Sequence, residues 1–234
     1  MVSCTPGKSQ LSQRLLRQFC ILSIPDPSAS SLLSIYQAQL GRFFSDYDFN
    51  VDIKSQLLSL VSASIVIYYR VFLNMLPTPN KSHYIFNLRD LNKLIKGLMQ
   101  ASPIVVLTKE NLVDLFFHEC TRVFNDRFIT LEDNELFMIH LNQTINDYFR
   151  INLKNNFKSK QQKSKDEKGK DHEEIDNIFL YADFMKNEDR LYQKLTNWKQ
   201  IVSILSEYQM RSNMSGLTTK QIVFFREAVE HICR

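Results

Sequence analysis

The dominant pattern along the chain is apolar residues recurring every three or four positions. Between Asp52 and Leu76 the apolar positions Leu57, Leu60, Val61, Ile65, Tyr68, Val71, Phe72 and Met75 predict the longest helix, ended by Pro77. An earlier helix carries Leu32, Leu33, Ile35, Tyr36, Leu40, Phe43 and Phe44 on its apolar side, with Asp26 or Ser28 as its cap. A third runs from about Leu88 to Ala101 and closes before Pro103. Thr108 is placed to cap a fourth, to about Arg127, with Leu112, Leu115, Phe116, Val123 and Phe124 inward. Thr130 and Asp133 have the spacing of a capping box, with Asp for the usual Glu, and open a helix to about Ile151. Two more helices are expected over about Leu195–Met210 and Thr218–Cys233. Only the apolar run Phe19–Ile24, stopped by Pro25, departs from the helical period, and it reads as a helix end feeding a buried strand.

Composition agrees with helices. Five Gly and six Pro in 234 residues argue against an all-β fold, and 44% hydrophobic content suffices for a core. The pattern breaks at Asn152–Glu174, which holds seven Lys and almost no apolar residue, so an unfolded insert is expected there. Asp166, Glu167, Asp171, Glu173 and Glu174 interrupt its positive field, and the net charge of +4 is mild, so no nucleic-acid partner is expected. No run of about 18 uninterrupted apolar residues occurs, and the first ten residues have no apolar core of a leader, so neither membrane association nor export is expected. Cys4, Cys20, Cys120 and Cys233 are widely spaced without a CxxC pair, as in reduced thiols of the cytosol.

Few strings carry chemistry. Gly7-Lys8-Ser9 ends like a phosphate-binding loop, but Val2 occupies the place of the required first Gly. Arg89 falls in the first turn of a helix, whose N-terminus favours anions, and Asn87 is placed to cap that helix. The alternative for Arg89 is an ion pair with Asp90 or Glu110. His83 and Tyr84 read as packing residues of the preceding loop. His118, Glu119 and Cys120 contain metal-ligating types, but positions i and i+2 of a helix point apart, so no metal is expected. Arg122 and Arg127 read as structural ion-pair partners of Asp126. No catalytic set of Ser, His and Asp or of Cys and His stands at meaningful spacing.

Two strings, LPTPNKSHYIFNLRDLNKLIKG at 76–97 and FHECTRVFNDRF at 117–128, resemble the helical lid of the third AAA+ module of dynein heavy chains, more the axonemal than the cytoplasmic kind. GKSQLSQRLLRQF at 7–19 is similar to a stretch late in that module's large subdomain, although Lys8 and Gln13 depart from the family pattern. FLYADFM at 179–185, RLYQKL at 190–195 and VFFREAVEHICR at 223–234 resemble the connection to the fourth module and its first helix. The resemblance implies a mainly α fold: a helical AAA+ lid subdomain with a short remnant of the preceding α/β large subdomain and a following helical connector. The implied divisions are 1–27, end of the large subdomain; 28–151, lid; 152–176, Lys-rich insert; and 177–234, connector and first helices of the next module.

By the same resemblance, Arg89 is a sensor-2-like arginine reading the nucleotide of its own module, and Arg14 or Arg17 is a possible arginine finger toward a neighbour. The plain alternative for those two is that they flank the first helix. Implied cofactors are ATP or ADP with Mg in the full-length protein, and none bound by this segment alone, since no Walker A loop or Walker B acid run is present. Implied partners are the neighbouring AAA+ modules of the same heavy chain, dynein intermediate and light chains, and microtubules, in the cytoskeleton of the cytoplasm and the axoneme of a cilium or flagellum. The expected function is part of an ATP-driven, minus-end-directed microtubule motor. The alternative is a short non-catalytic helical adaptor docking on an AAA+ ring or an axonemal partner. Apolar faces at Phe19–Ile24 and Val223–Ile232, expected to be orphaned in an adaptor, favour the motor segment.

Overall fold

A computed structural model of the chain describes residues 12–20, 22, 25–151, 180–185, 190–195, 197–214, 216 and 222–234. In chain order the helices are α1 (Gln13–Leu16), α2 (Ala29–Asp46), α3 (Val51–Ser55), α4 (Leu57–Asn74), α5 (Leu88–Leu98), α6 (Lys109–Val123) and α7 (Leu131–Phe149). A 3-10 turn, Asn125–Arg127, lies between α6 and α7. A two-stranded antiparallel sheet follows, β1 (Tyr181–Ala182) with β2 (Gln193–Lys194), then α8 (Trp198–Met214) and α9 (Arg226–Cys233). The fold is mainly α, as the apolar period requires.

Helix α4 is the spine, packed against α2, α5 and α7, while α5 packs on α6. It is long and apolar enough to cross a membrane, with mean hydropathy 1.6 over 18 residues. Here its apolar face, including Leu60, Val61, Ile65, Ile67, Tyr68 and Val71, forms the centre of the bundle. Each such fully buried side chain contributes about 1.5–3 kcal/mol of transfer free energy. Arg70 fastens α4 to α7, donating from Nη1 to the His140 carbonyl at 3.0 Å and to Thr144 Oγ1 at 2.9 Å.

The sequence boundaries need five corrections. The helix expected over Asp52–Leu76 is broken at Gln56 into α3 and α4, and α3 packs against α6 with Ile53 fully buried. The longest described helix is therefore α7, at 19 residues. Ile35 and Phe72 are exposed rather than inward, because each lies about 100° around its helix from a buried neighbour, Tyr36 and Val71. Helix α7 stops at Phe149, where Arg150 adopts φ 57° and returns its N–H to the Asn146 carbonyl. Thr130 makes no side-chain cap to the backbone; its hydroxyl donates to Asp133 instead. Finally, Phe19, Cys20 and Leu22 form no strand, and Phe19 and Leu22 are exposed, since no described neighbour offers a ladder to pair with.

The expected caps at Ser28 and Thr108 form, accepting from the N–H groups of Ser31 and Asn111. Toward the C-terminus the expected helices are shifted, to Trp198–Met214 and Arg226–Cys233. The Lys-rich stretch and Gly7-Lys8-Ser9 lie outside the described residues, as does Ile24.

A second, smaller core gathers Leu180, Ala182, Leu195, Ile201, Leu205, Val229 and Cys233 from the sheet, α8 and α9. It is seated on the bundle by ring packing of Tyr181 and Tyr192 and by polar contacts. Tyr181 donates to the Asn111 carbonyl at 3.2 Å, Tyr192 to Glu119 Oε1 at 2.6 Å, and Lys194 pairs with Asp114 at 2.7 Å. Cys20, Cys120 and Cys233 are free thiols.

Candidate nucleotide-sensing site at the start of the third long helix

The approach to α5 is a compact turn. Pro77 and Pro79 flank Thr78, which forms an antiparallel bridge with Lys81. Tyr84 is then buried, donating from its hydroxyl to Asp133 Oδ2 at 2.8 Å and accepting the Ile129 N–H at 3.0 Å. Lys81 pairs with the same carboxylate at 2.5 Å, and Thr130 donates to it as well. Burial alone would raise the Asp133 pKa, but these hydrogen bonds from Lys81, Thr130 and Tyr84 outweigh it and hold the carboxyl below its usual range. The hydrogen bond to Asp133 correspondingly raises Lys81.

Helix α5 opens on a reciprocal capping box. Asn87 Oδ1 accepts the Arg89 N–H at 2.9 Å, and Asp90 Oδ2 accepts the Asn87 N–H at 3.1 Å. Asp90 is buried and pairs with Arg127 at 3.1 Å and Lys93 at 3.5 Å. Arg127 also donates from Nη2 to the carbonyls of His83, at 3.1 Å, and Ile85, at 2.9 Å. Its guanidinium lies 4.5 Å over the Phe86 ring. His83 Nε2 hydrogen-bonds the Arg127 carbonyl at 2.9 Å in return.

Arg89 itself is exposed at the second position of α5, and among the described residues its side chain makes no ion pair or hydrogen bond. The pairing with Asp90 or Glu110 weighed from the sequence does not form, because Asp90 is occupied by Arg127 and Lys93. Arg14 lies in α1 and Arg17 at its C-cap; both are exposed, and no described contact brings them to Arg89.

The ion pairs read around α6 are re-partnered. Arg122 takes Glu119 at 2.6 Å, Arg127 takes Asp90, and Asp126 takes Arg234 at 2.7 Å. His118, Glu119 and Cys120 are all buried, and the Glu119 carboxylate is committed to Arg122 and Tyr192. The His118 ring packs against Tyr181 and Tyr192. Burial, then the adjacent Glu119 carboxylate, push the Tyr192 phenol far up. Among the described residues no group of three or more His, Cys, Asp or Glu is placed to hold a metal ion.

Sequence reasoning missed Asp90 as the second half of the capping box, although N-x-x-D carries that signal. The Arg127 grip on residues 83–90 carries no local signal, because its acceptors are mostly backbone carbonyls distant in sequence.

The α-helical bundle matches the AAA+ lid domain family over residues 60–156. Over almost its whole length the chain is also similar to dynein heavy chains. It is 33% identical to human dynein axonemal heavy chain 6 across 99% of this chain, and 29% identical to human dynein axonemal heavy chain 2 across 97%. The dynein-1-beta heavy chain of the flagellar inner arm I1 complex of Chlamydomonas reinhardtii is 29% identical across 97%. The chain is thus similar to one segment of the axonemal dynein heavy chains. It spans 5% of the length of each of these three relatives.

Proposed function

We propose that this chain is the nucleotide-responsive lid and inter-module connection of an axonemal dynein heavy chain, an ATP-driven microtubule motor of the cilium or flagellum. The lid is read as that of the third AAA+ module, over 28–151, with 177–234 leading into the fourth. The observation that carries the reading is Arg89: an exposed cation at the positive end of a capped helix, without a side-chain partner among the described residues while Lys81, Arg122 and Arg127 are all paired within the fold. Such a guanidinium fits a phosphate oxygen, so these residues suit a nucleotide held by other parts of the module.

Bound ATP, with Mg, supplies a polyphosphate charge whose size depends on its hydrolysis state. Arg89 would be the residue facing that charge, and the Asn87–Asp90 capping box, which holds the first turn of α5 in register, would pass any pull on Arg89 to the whole helix. Because α5 is packed on α4 and α6, such a pull would move the lid as a body. Arg14 or Arg17 is retained as a finger toward a neighbouring module's nucleotide. The neighbouring modules, the intermediate and light chains and the microtubule are partners of the whole heavy chain.

The test is Arg89→Ala in the full heavy chain, with lid position followed by energy transfer between dyes on α7 and the adjacent large subdomain. Nucleotide-dependent movement should be lost or strongly reduced. Movement of wild-type size would overturn the sensor role.

A further inference from the structure

We infer that Arg127 is the positioning residue of the Arg89 helix, and that the turn carrying it ties this helix to α9 through Asp126 and Arg234. The inference rests on the sensor reading of Arg89 for its functional meaning, but the tie itself stands on geometry alone.

Arg127 directs its donors at one short stretch. Nη2 holds the carbonyls of His83 and Ile85, Nη1 holds Asp90, and the guanidinium plane covers Phe86. These four acceptors and surfaces bracket Asn87, so one planar cation fixes both the entry to α5 and the carboxylate that caps it. A fork of this kind needs the rigid geometry of arginine, since an ammonium cannot hold two carbonyls and a carboxylate at fixed angles. The turn is itself wedged: Phe124 and Phe128, on either side of it, pack their rings against Phe86 at 6.0 and 5.9 Å. Displacing Asn125–Arg127 must therefore displace residues 83–90.

The adjacent residue faces the other way. Asp126 accepts from Arg234 Nη1 at 2.7 Å, with only 19% and 17% of the two side chains exposed. Arg234 also approaches Glu230 at 3.5 Å, one turn back on α9. Helix α9 is anchored in the second core by Val229 and Cys233. An ion pair this sheltered resists solvent and salt far better than a surface pair. Two consecutive residues of one 3-10 turn thus hold two different elements: Arg127 the sensor helix α5, Asp126 the helix α9.

Hydrogen exchange on the 234-residue chain tests this. Asp126→Asn removes the charge that holds Arg234 while touching nothing on α5. It should speed amide exchange both in Arg226–Cys233 and in Asn87–Leu91, by a factor of about ten, the size expected for losing a charge-assisted hydrogen bond. Arg127→Lys keeps the charge opposite Asp90 but loses the fork, and should speed exchange in Asn87–Leu91 while α2 and the centre of α4 stay at wild-type rates. Asp126→Glu should restore protection of Asn87–Leu91. Loosening confined to α9 in Asp126→Asn, wild-type protection of Asn87–Leu91 in Arg127→Lys, or an even rise over every helix would each overturn the inference. None of these readings involves nucleotide. Normal lid movement in Arg89→Ala would sink the sensor role and leave the tie standing, and unchanged exchange would do the reverse.

Discussion

The carboxylate of Glu119 lies where a side chain on Gly97 would have to begin: a Cβ built on Gly97 overlaps Glu119 Oε2 and Cδ. Gly97 sits near the end of α5 and Glu119 on α6, both buried, so the absence of a side chain at 97 lets the two helices close over an ion pair. Gly97→Ala would gain about 1 kcal/mol in intrinsic helix propensity. It should nevertheless destabilise the protein by about 1–3 kcal/mol, because the overlap forces the Glu119–Arg122 pair or the α5–α6 spacing to shift. The midpoint of urea unfolding, followed by circular dichroism, should fall accordingly, and a midpoint above wild type would contradict the packing described.

Tyr192 carries the same buried charge from the other side, donating to Glu119 Oε1 at 2.6 Å while Arg122 occupies Oε2. Tyr192→Phe leaves one oxygen of a buried carboxylate without its donor, at a cost of about 1–3 kcal/mol. The loss should be accompanied by faster protease cleavage near β2, since Tyr192, next to β2, ties that strand to α6. Equal stability and equal cleavage would mean that this hydrogen bond contributes nothing.

Asp133 gives the fold a defined acid response. Its folded pKa lies below the ordinary value, so its contribution is fully present above the unfolded value of about 3.9 and is lost as pH falls through the lower folded value. Asp133→Asn should therefore reduce stability by a constant amount from neutral pH down to about 4, and the difference from wild type should shrink below that. Lys81 behaves in the opposite sense: its raised pKa adds stability below about 10.4 that is lost as pH rises through the folded value. Urea unfolding at a series of pH values reads both limbs. A wild-type–variant difference that grows toward acid would contradict the assignment.

An antibody raised against the Lys-rich stretch 152–174 should detect, in axoneme extract, a polypeptide about twenty times the 27.6 kDa of this chain, since the chain spans 5% of its relatives. A band near 27.6 kDa would instead revive the short adaptor as the working function.

The caps and the helical layout were legible because both are local. Ser28, Asn87 and Thr108 accept from residues two or three positions away, and an apolar period of three to four needs only a solvent-facing and a core-facing side to declare a helix. The place of Arg89 in the first turn of α5 was equally legible, since it stands two positions after its cap Asn87.

What the chain did not declare was everything settled between distant residues. The helix breaks at Gln56, α3 meets α6 with Ile53 buried, and Phe72 faces outward although it matches the apolar period. Asp133 serves Lys81, Tyr84 and its own neighbour Thr130 rather than a backbone cap. Charged partners were chosen in the same way: Arg127 took carbonyls at 83 and 85, and Asp126 took Arg234, 108 positions away. Local sequence determines which residues can form a helix and where it can begin, because backbone hydrogen bonds and caps close over a few positions. Which buried charge meets which donor is decided by the packed bundle, because an unpaired charge inside it is costly and only tertiary proximity can supply the partner.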